Sequence, residues 1–164
     1  MNTRPDKENY YLDIAQVVSE RCTCLRRHYG AIIVKDDSIV STGYVGAPRG
    51  RKNCSDLGFC AREKFEIPRG ERYEMCRSVH AEANAIIAAS REEMIGATLY
   101  LTGIEVKTGK VMDDAMCCMM CKRMIINAGI AKVVVRRPEG KFVTVDVQRE
   151  WIENDDSLTG VFGY

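Results

Sequence analysis

Two short motifs, His80-Ala81-Glu82 and Cys118-Met119-Met120-Cys121, constrain the fold of this 164-residue chain more than any other feature. Each opens a stretch of helical character. His80 and Glu82 are two residues apart, so in mid-helix their side chains would point about 200° apart. They can serve one centre only from a first turn, where side chains converge at the open helix end. Ser78 lies just upstream and is the expected N-cap. Cys118 and Cys121, at i and i+3, share one face of another first turn. A fold that uses both motifs must therefore bring two helix N-termini together, with their positive dipole ends aimed at one point.

One imidazole and two thiolates are three zinc ligands. A structural zinc site closes with four protein ligands, whereas a catalytic one leaves a position for water. Glu82 is then free to move protons. Zinc pulls a bound water toward a pKa of about 7. Glu82 would take that proton, pass it to the ring nitrogen beside the attacked carbon, and then protonate the departing amine. The matching reaction class is hydrolytic loss of ammonia from an amino-bearing aromatic carbon.

Composition narrows the setting. Net charge is +1 with both signs interspersed, so no global field favours a polyanion, and no nucleic-acid partner is expected. No apolar run approaches the roughly 18 residues that span a bilayer. The start, Met1 to Glu8, is polar and lacks the apolar core of a secretion signal. A cytoplasmic protein with no membrane partner is the expectation. Eight cysteines in such a setting point to metal rather than disulfides. The length suits a single domain over 1–164, with its core at about 10–136 and a tail at about 147–164.

Helical spacing runs from Tyr10 to about Leu25. Gly30–Val34 and Ile39–Tyr44 flank a polar turn and read as a β-hairpin. Residues 48–77 are rich in Gly, Pro and charge and carry three cysteines, a long irregular stretch that something must hold. His80 to Arg91 is alanine-rich and helical. Ala97–Thr102 is a strand, 102–115 a loop or small hairpin, and Cys118–Asn127 a helix closed by Gly129. Lys132–Arg136 is a buried strand, and the tail is partly helical around Trp151. This order predicts an α/β fold, one mixed sheet with helices packed on it.

The residues resemble the cytidine deaminase superfamily, and more narrowly the deoxycytidylate (dCMP) deaminases. Matching segments include Cys24-Leu25-Arg26-Arg27, Gly30–Lys35, Thr42-Gly43-Tyr44, Gly46–Gly50, Asn53-Cys54, Gly70-Glu71-Arg72, Cys76–Ile86 and Ile125–Ile130. The resemblance implies a three-layer α/β/α sandwich around a mixed five-stranded sheet. It further implies Zn2+ on His80, Cys118 and Cys121, with Glu82 catalytic. The implied reaction is dCMP to dUMP and ammonia, which supplies thymidylate synthesis. Other implications are a homo-oligomer, usually a hexamer, and dCTP and dTTP as effectors. Members often carry a further structural zinc, and Cys24, Cys54, Cys60 and Cys76 match its places. Cys22 is then the spare, packed on the apolar helix face, although the choice between Cys22 and Cys24 stays open. The upstream thiols could instead be merely buried or disulfide-bonded.

Two positions depart from the family. Val45 stands where Asn is usual, which puts substrate identity in question, and Cys117 stands where Pro is usual. Arg49, Arg51 and Lys52 are candidate phosphate contacts, with Arg26 and Arg27 near the first strand. Tyr44, Val45 and Ala47 are candidates for the pocket wall, and the amides of Ala81 and Glu82 for the base carbonyl. The competing readings are deamination of another free or modified pyrimidine nucleotide, deamination within a polynucleotide such as tRNA, and a non-enzymatic zinc module.

Overall fold

The computed structural model describes residues 3–160. Asp6 caps the first helix, α1 (Lys7–Ser19), by accepting from the Asn9 amide. Strands β1 (Arg27–Lys35) and β2 (Ser38–Tyr44) follow. Asp36 and Asp37 between them both have positive φ, at 50° and 60°, as a two-residue type I′ turn requires. Short helices α2 (Cys54–Leu57) and α3 (Ala61–Lys64) and a 3-10 turn at Tyr73–Met75 then lead to α4 (Ala81–Ile87) and α5 (Arg91–Met94). The rest is β3 (Thr98–Glu105), β4 (Lys110–Val111), α6 (Met119–Ala128), β5 (Lys132–Arg136) and β6 (Phe142–Asp146), with a π-helical turn at Gln148–Glu153.

The sheet order is β2-β1-β3-β5-β6, with the two-residue β4 paired to β3. β1 is antiparallel to both β2 and β3, so those two strands run the same way, and β3 and β5 are parallel. The α4 segment therefore joins two like-directed strands and α6 joins another two. Both helices cross back over the sheet, and both begin where a strand ends. Side-chain alternation splits the core into two layers. Ile32, Val34, Tyr100 and Val134 pack with Tyr11, Leu12 and Ala15 of α1. Ala31, Ile33, Leu99, Leu101, Val133 and Val135 pack with Ala81 and Ala85 of α4 and Cys121 and Ile125 of α6. The result is the expected α/β/α sandwich.

Several boundaries differ from those read in the sequence. The first helix ends at Ser19, so Cys22 lies beyond it rather than on its apolar face. The alanine-rich helix breaks after Ile87, because Ser90 and Glu93 form a capping box that starts α5. Residues 48–77 are not irregular throughout, since two short helices lie there. The fifth strand of the main sheet is β6, which the residue pattern alone does not supply. Gly129 closes α6 with φ of 82°, and helical structure does surround Trp151. Of the tail, residues 161–164 lie outside the described residues, as do Met1 and Asn2. Among the described residues, no helix is long and apolar enough to cross a membrane.

Candidate active site

The two motifs meet at the strand ends. His80 is the N-cap of α4 and Cys118 the N-cap of α6, with Cys121 one turn in. Ser78 is not the cap. Val79 forms an antiparallel bridge with Gly46, with N–H···O distances of 2.7 and 3.3 Å. That bridge holds the chain extended up to His80 and pins the entry to α4 beside the end of β2. Two bonds lock the helix to the strand: Ser41 Oγ donates to Ala85 O at 2.7 Å, and Asn84 Nδ2 to Tyr44 O at 2.8 Å.

His80 Nδ1 lies 3.4 Å from Cys118 Sγ and 3.5 Å from Cys121 Sγ. These three residues are the one group, among the described His, Cys, Asp and Glu side chains, whose ligand atoms all fall within 4.8 Å of one another. One nitrogen and two sulfurs in first turns suit zinc. The acid–base state of the triad is that of three groups sharing protons where a metal would sit. Cys121 hydrogen-bonds to Cys118 and, with His80 beside it, holds the Cys118 thiol well below the usual thiol range. Burial pulls the His80 imidazole down, but its contacts with Cys118 and Cys76 outweigh this and raise it to about 11. Cys118 is thus the thiolate of the three, while the bond to Cys118 and then burial push the Cys121 thiol up. A bound metal would replace the protons on His80 and Cys121.

Glu82, in the first turn of α4, is 4% exposed, and burial pushes its carboxyl above the ordinary range. Cys117, fully buried behind it, makes a side-chain hydrogen bond to that carboxyl. A cavity opens on this group. Its lining brings together His80, Glu82 and Cys118 with Val45, Tyr29, Met116 and Tyr73, and with Arg26, Arg27, Arg62 and Arg69. Ion pairs lie at its rim, Arg26 to Glu63 at 3.1 Å and Arg69 to Asp114 at 2.6 Å.

Of the wall and phosphate candidates read from sequence, Val45, Arg26 and Arg27 line this cavity. Tyr44, Ala47, Ala81, Arg49, Arg51 and Lys52 do not. Tyr44 points outward from β2, and Arg49, Arg51 and Lys52 are exposed. Sequence reasoning missed Tyr29, Arg62, Arg69, Tyr73 and Met116. Position relative to the motifs was the available signal for Met116, two residues before Cys118. The others carry no local mark.

The upstream cysteines are neighbours without forming so tight a group. Cys24, Cys60 and Cys76 all act on Cys54, whose thiol burial, first of all, raises. Cys24 Sγ accepts from the amides of Arg26 and Arg27 at 3.4 and 3.5 Å. Cys22 instead donates its proton to Tyr29 O at 3.0 Å, and burial raises its thiol to about 11.

Comparison with known proteins agrees with this geometry. Residues 5–137 match the model of the cytidine and deoxycytidylate deaminase zinc-binding region. A deoxycytidylate deaminase of Mycobacterium phage D29 is 38% identical over 137 residues, covering 80% of this chain and 95% of that protein. A deoxycytidylate deaminase of Schizosaccharomyces pombe is 32% identical over 132 residues, and the match spans only 37% of that longer protein. The crystal structure of the dCMP deaminase from cyanophage S-TIM5, in complex with dCMP and dUMP, superposes with a TM-score of 0.57 at 27% identity, covering 83% of this chain and 85% of that one. With its matched span containing both motifs and every residue that could ligate the metal, this chain belongs to the cytidine and deoxycytidylate deaminase family.

Proposed function

We propose that this chain hydrolyses dCMP to dUMP and ammonia in the cavity beside His80, Cys118 and Cys121. The observation that carries the reading is a buried carboxylate, Glu82, on the same cavity wall as a three-ligand group. His80 through Nδ1, with Cys118 and Cys121, would hold zinc, which when bound supplies the Lewis acidity that makes water nucleophilic near neutral pH. Glu82 takes one proton of the attacking water and delivers it to the ring nitrogen beside C4. It then takes the remaining proton of the hydroxyl added at C4 and passes it to the amine as the C4–N bond breaks and the carbonyl forms. Burial favours this role by raising the carboxyl toward the working pH range. Arg26, Arg27 and Arg69 line the cavity and would supply the cations for a 5′-phosphate. The likeness to phage dCMP deaminases supports the nucleotide.

A second zinc on Cys24, Cys54, Cys60 and Cys76 belongs to the same proposal. Its support is that Cys24, Cys60 and Cys76 lie close enough to act on Cys54, and that two amides are aimed at Cys24 Sγ, a sulfur set up to accept rather than donate. Family membership alone suggests a homo-oligomer, dCTP and dTTP as effectors, and a cytoplasmic setting.

Val45 favours a second reading, deamination of another pyrimidine nucleotide. It lines the cavity and has no polar side-chain atom with which to meet the sugar. Purified protein should be offered dCMP, CMP, dCTP, deoxycytidine and their 5-substituted forms while ammonia release is followed. Turnover of dCMP above the others is expected. If dCMP is inert and another of these reacts, the substrate assignment fails.

A further inference from the structure

The His80 ring is oriented by side-chain contacts alone, with Cys118, Cys121 and Cys76 among them. The residue sits at an N-cap with no side-chain capping bond, at the end of an extended segment. Its last torsion is a broad, two-fold one, so little in the backbone fixes the ring plane. Yet Nδ1 has to face two sulfurs, at 3.4 and 3.5 Å. The ring of Tyr73 stands against the imidazole at 5.6 Å between centroids and 83° between planes, within the range of a favourable edge-to-face pair.

Tyr73 is itself on a weak element, a three-residue 3-10 turn. Arg62 compensates. Its guanidinium lies 5.0 Å from the centre of the Tyr73 ring, a cation–π distance. The same guanidinium, on a residue 6% exposed, donates to Arg72 O at 2.7 Å and Pro68 O at 2.9 Å. Arg72, directly before Tyr73, has φ of 50°, a left-handed conformation that a non-glycine residue holds only where its surroundings enforce it. The buried arginine thus bends the loop 68–72 and covers the ring that the bend presents.

We propose that Tyr73 is a positioning residue that sets the plane of the His80 imidazole, and through it the zinc affinity of the centre, and that Arg62 holds Tyr73 in place. This rests on the zinc site proposed above. Partners of a ligating histidine orient the ring, and an edge-to-face ring contact is worth about 3- to 10-fold.

The test is zinc affinity by competition with a chromophoric chelator, with His80→Ala giving the background from the other thiols. Cobalt(II) substitution, read by its visible absorption, checks the geometry at the triad. Tyr73→Ala should weaken zinc at the triad by about 3- to 10-fold. Tyr73→Phe, which keeps the ring, should stay within about twofold, and Arg62→Gln should fall between them. Should Tyr73→Ala not fold, Tyr73→Leu, which keeps bulk without the aromatic ring, decides in its place. Wild-type zinc affinity in the ring-less variant overturns the inference, including the case where only KM rises, because Tyr73 would then be a wall of the substrate pocket. Failure of the unaltered chain to bind zinc above the His80→Ala background would instead defeat the reading of the site itself.

Discussion

His80 and Cys118 occupy the same position in two different helices: each is an N-cap, and their Nδ1 and Sγ atoms meet at 3.4 Å. Neither caps its helix through its side chain, so each donor atom is left for a metal. The free amides of both first turns add positive potential at the same place. The candidate centre is thus made from the two helix starts themselves.

Glu82→Gln keeps the shape of the buried side chain and removes its proton chemistry. Ammonia release from dCMP should fall by about 10²- to 10⁴-fold, the usual contribution of a positioned acid–base group, while zinc content is unchanged. Turnover within tenfold of the parent would remove Glu82 from the mechanism.

Gly43 lies where β2 passes under α4. A Cβ there would overlap Ala81 O and Ala85 N, both backbone atoms of the helix that carries Glu82. Gly43→Ala should cost about 1–3 kcal/mol, as overpacking does, and should lower activity further by shifting α4. Urea denaturation and steady-state kinetics on one preparation read both effects. An unchanged denaturation midpoint would contradict the close packing.

The two cysteines ahead of β1 should behave differently. Cys24→Ala should reduce zinc from about two ions per chain to about one and lower stability, because a structural metal contributes directly to folding. Cys22→Ala should leave the metal count alone, since that thiol is engaged as a donor to Tyr29 O. Metal analysis of both variants decides the matter, and the reverse pattern would exchange their roles.

Tyr11 and Asp37 link α1 to the β1–β2 turn, and each shifts the other. The hydrogen bond to Asp37, aided by burial, raises the Tyr11 hydroxyl from 10.0 to about 12. The same bond, then Lys7, lowers the Asp37 carboxyl from 3.8. A raised folded-state value means stability present below pH 10 and lost between about pH 10 and 12. A lowered one means stability present above about pH 3.8 and lost as pH falls below it. Subtracting the stability curve of Tyr11→Phe from that of the parent should reveal both limbs. A difference flat across pH would rule out the linkage.

The chemistry is legible in the sequence because local spacing encodes it. A two-residue and a three-residue interval are geometric statements only in a first helical turn, so the motifs announce both helix starts. The hairpin, the central strands and Gly129 are equally local. Ser78 misleads, because a polar side chain before a helix resembles a cap, and only the distant partner Gly46 shows why the chain stays extended through Val79. Alanine content conceals the break at Ser90, where a four-residue capping box outweighs propensity. Tyr73 and Arg62 escape notice for another reason. They come from a charged, glycine- and proline-rich run, and their meaning lies in contacts with each other and with His80 that no periodicity signals.

Because α4 and α6 both start where like-directed strands finish, everything the proposed reaction needs is gathered at one pole of the sheet. The β1–β2 turn at Asp36 and Asp37 lies at the other pole, a strand's length away. A spectroscopic label or a short peptide grafted into that turn would sacrifice a contact with Tyr11 while leaving the working end untouched. Such a graft would offer a handle on the enzyme that does not disturb its catalysis.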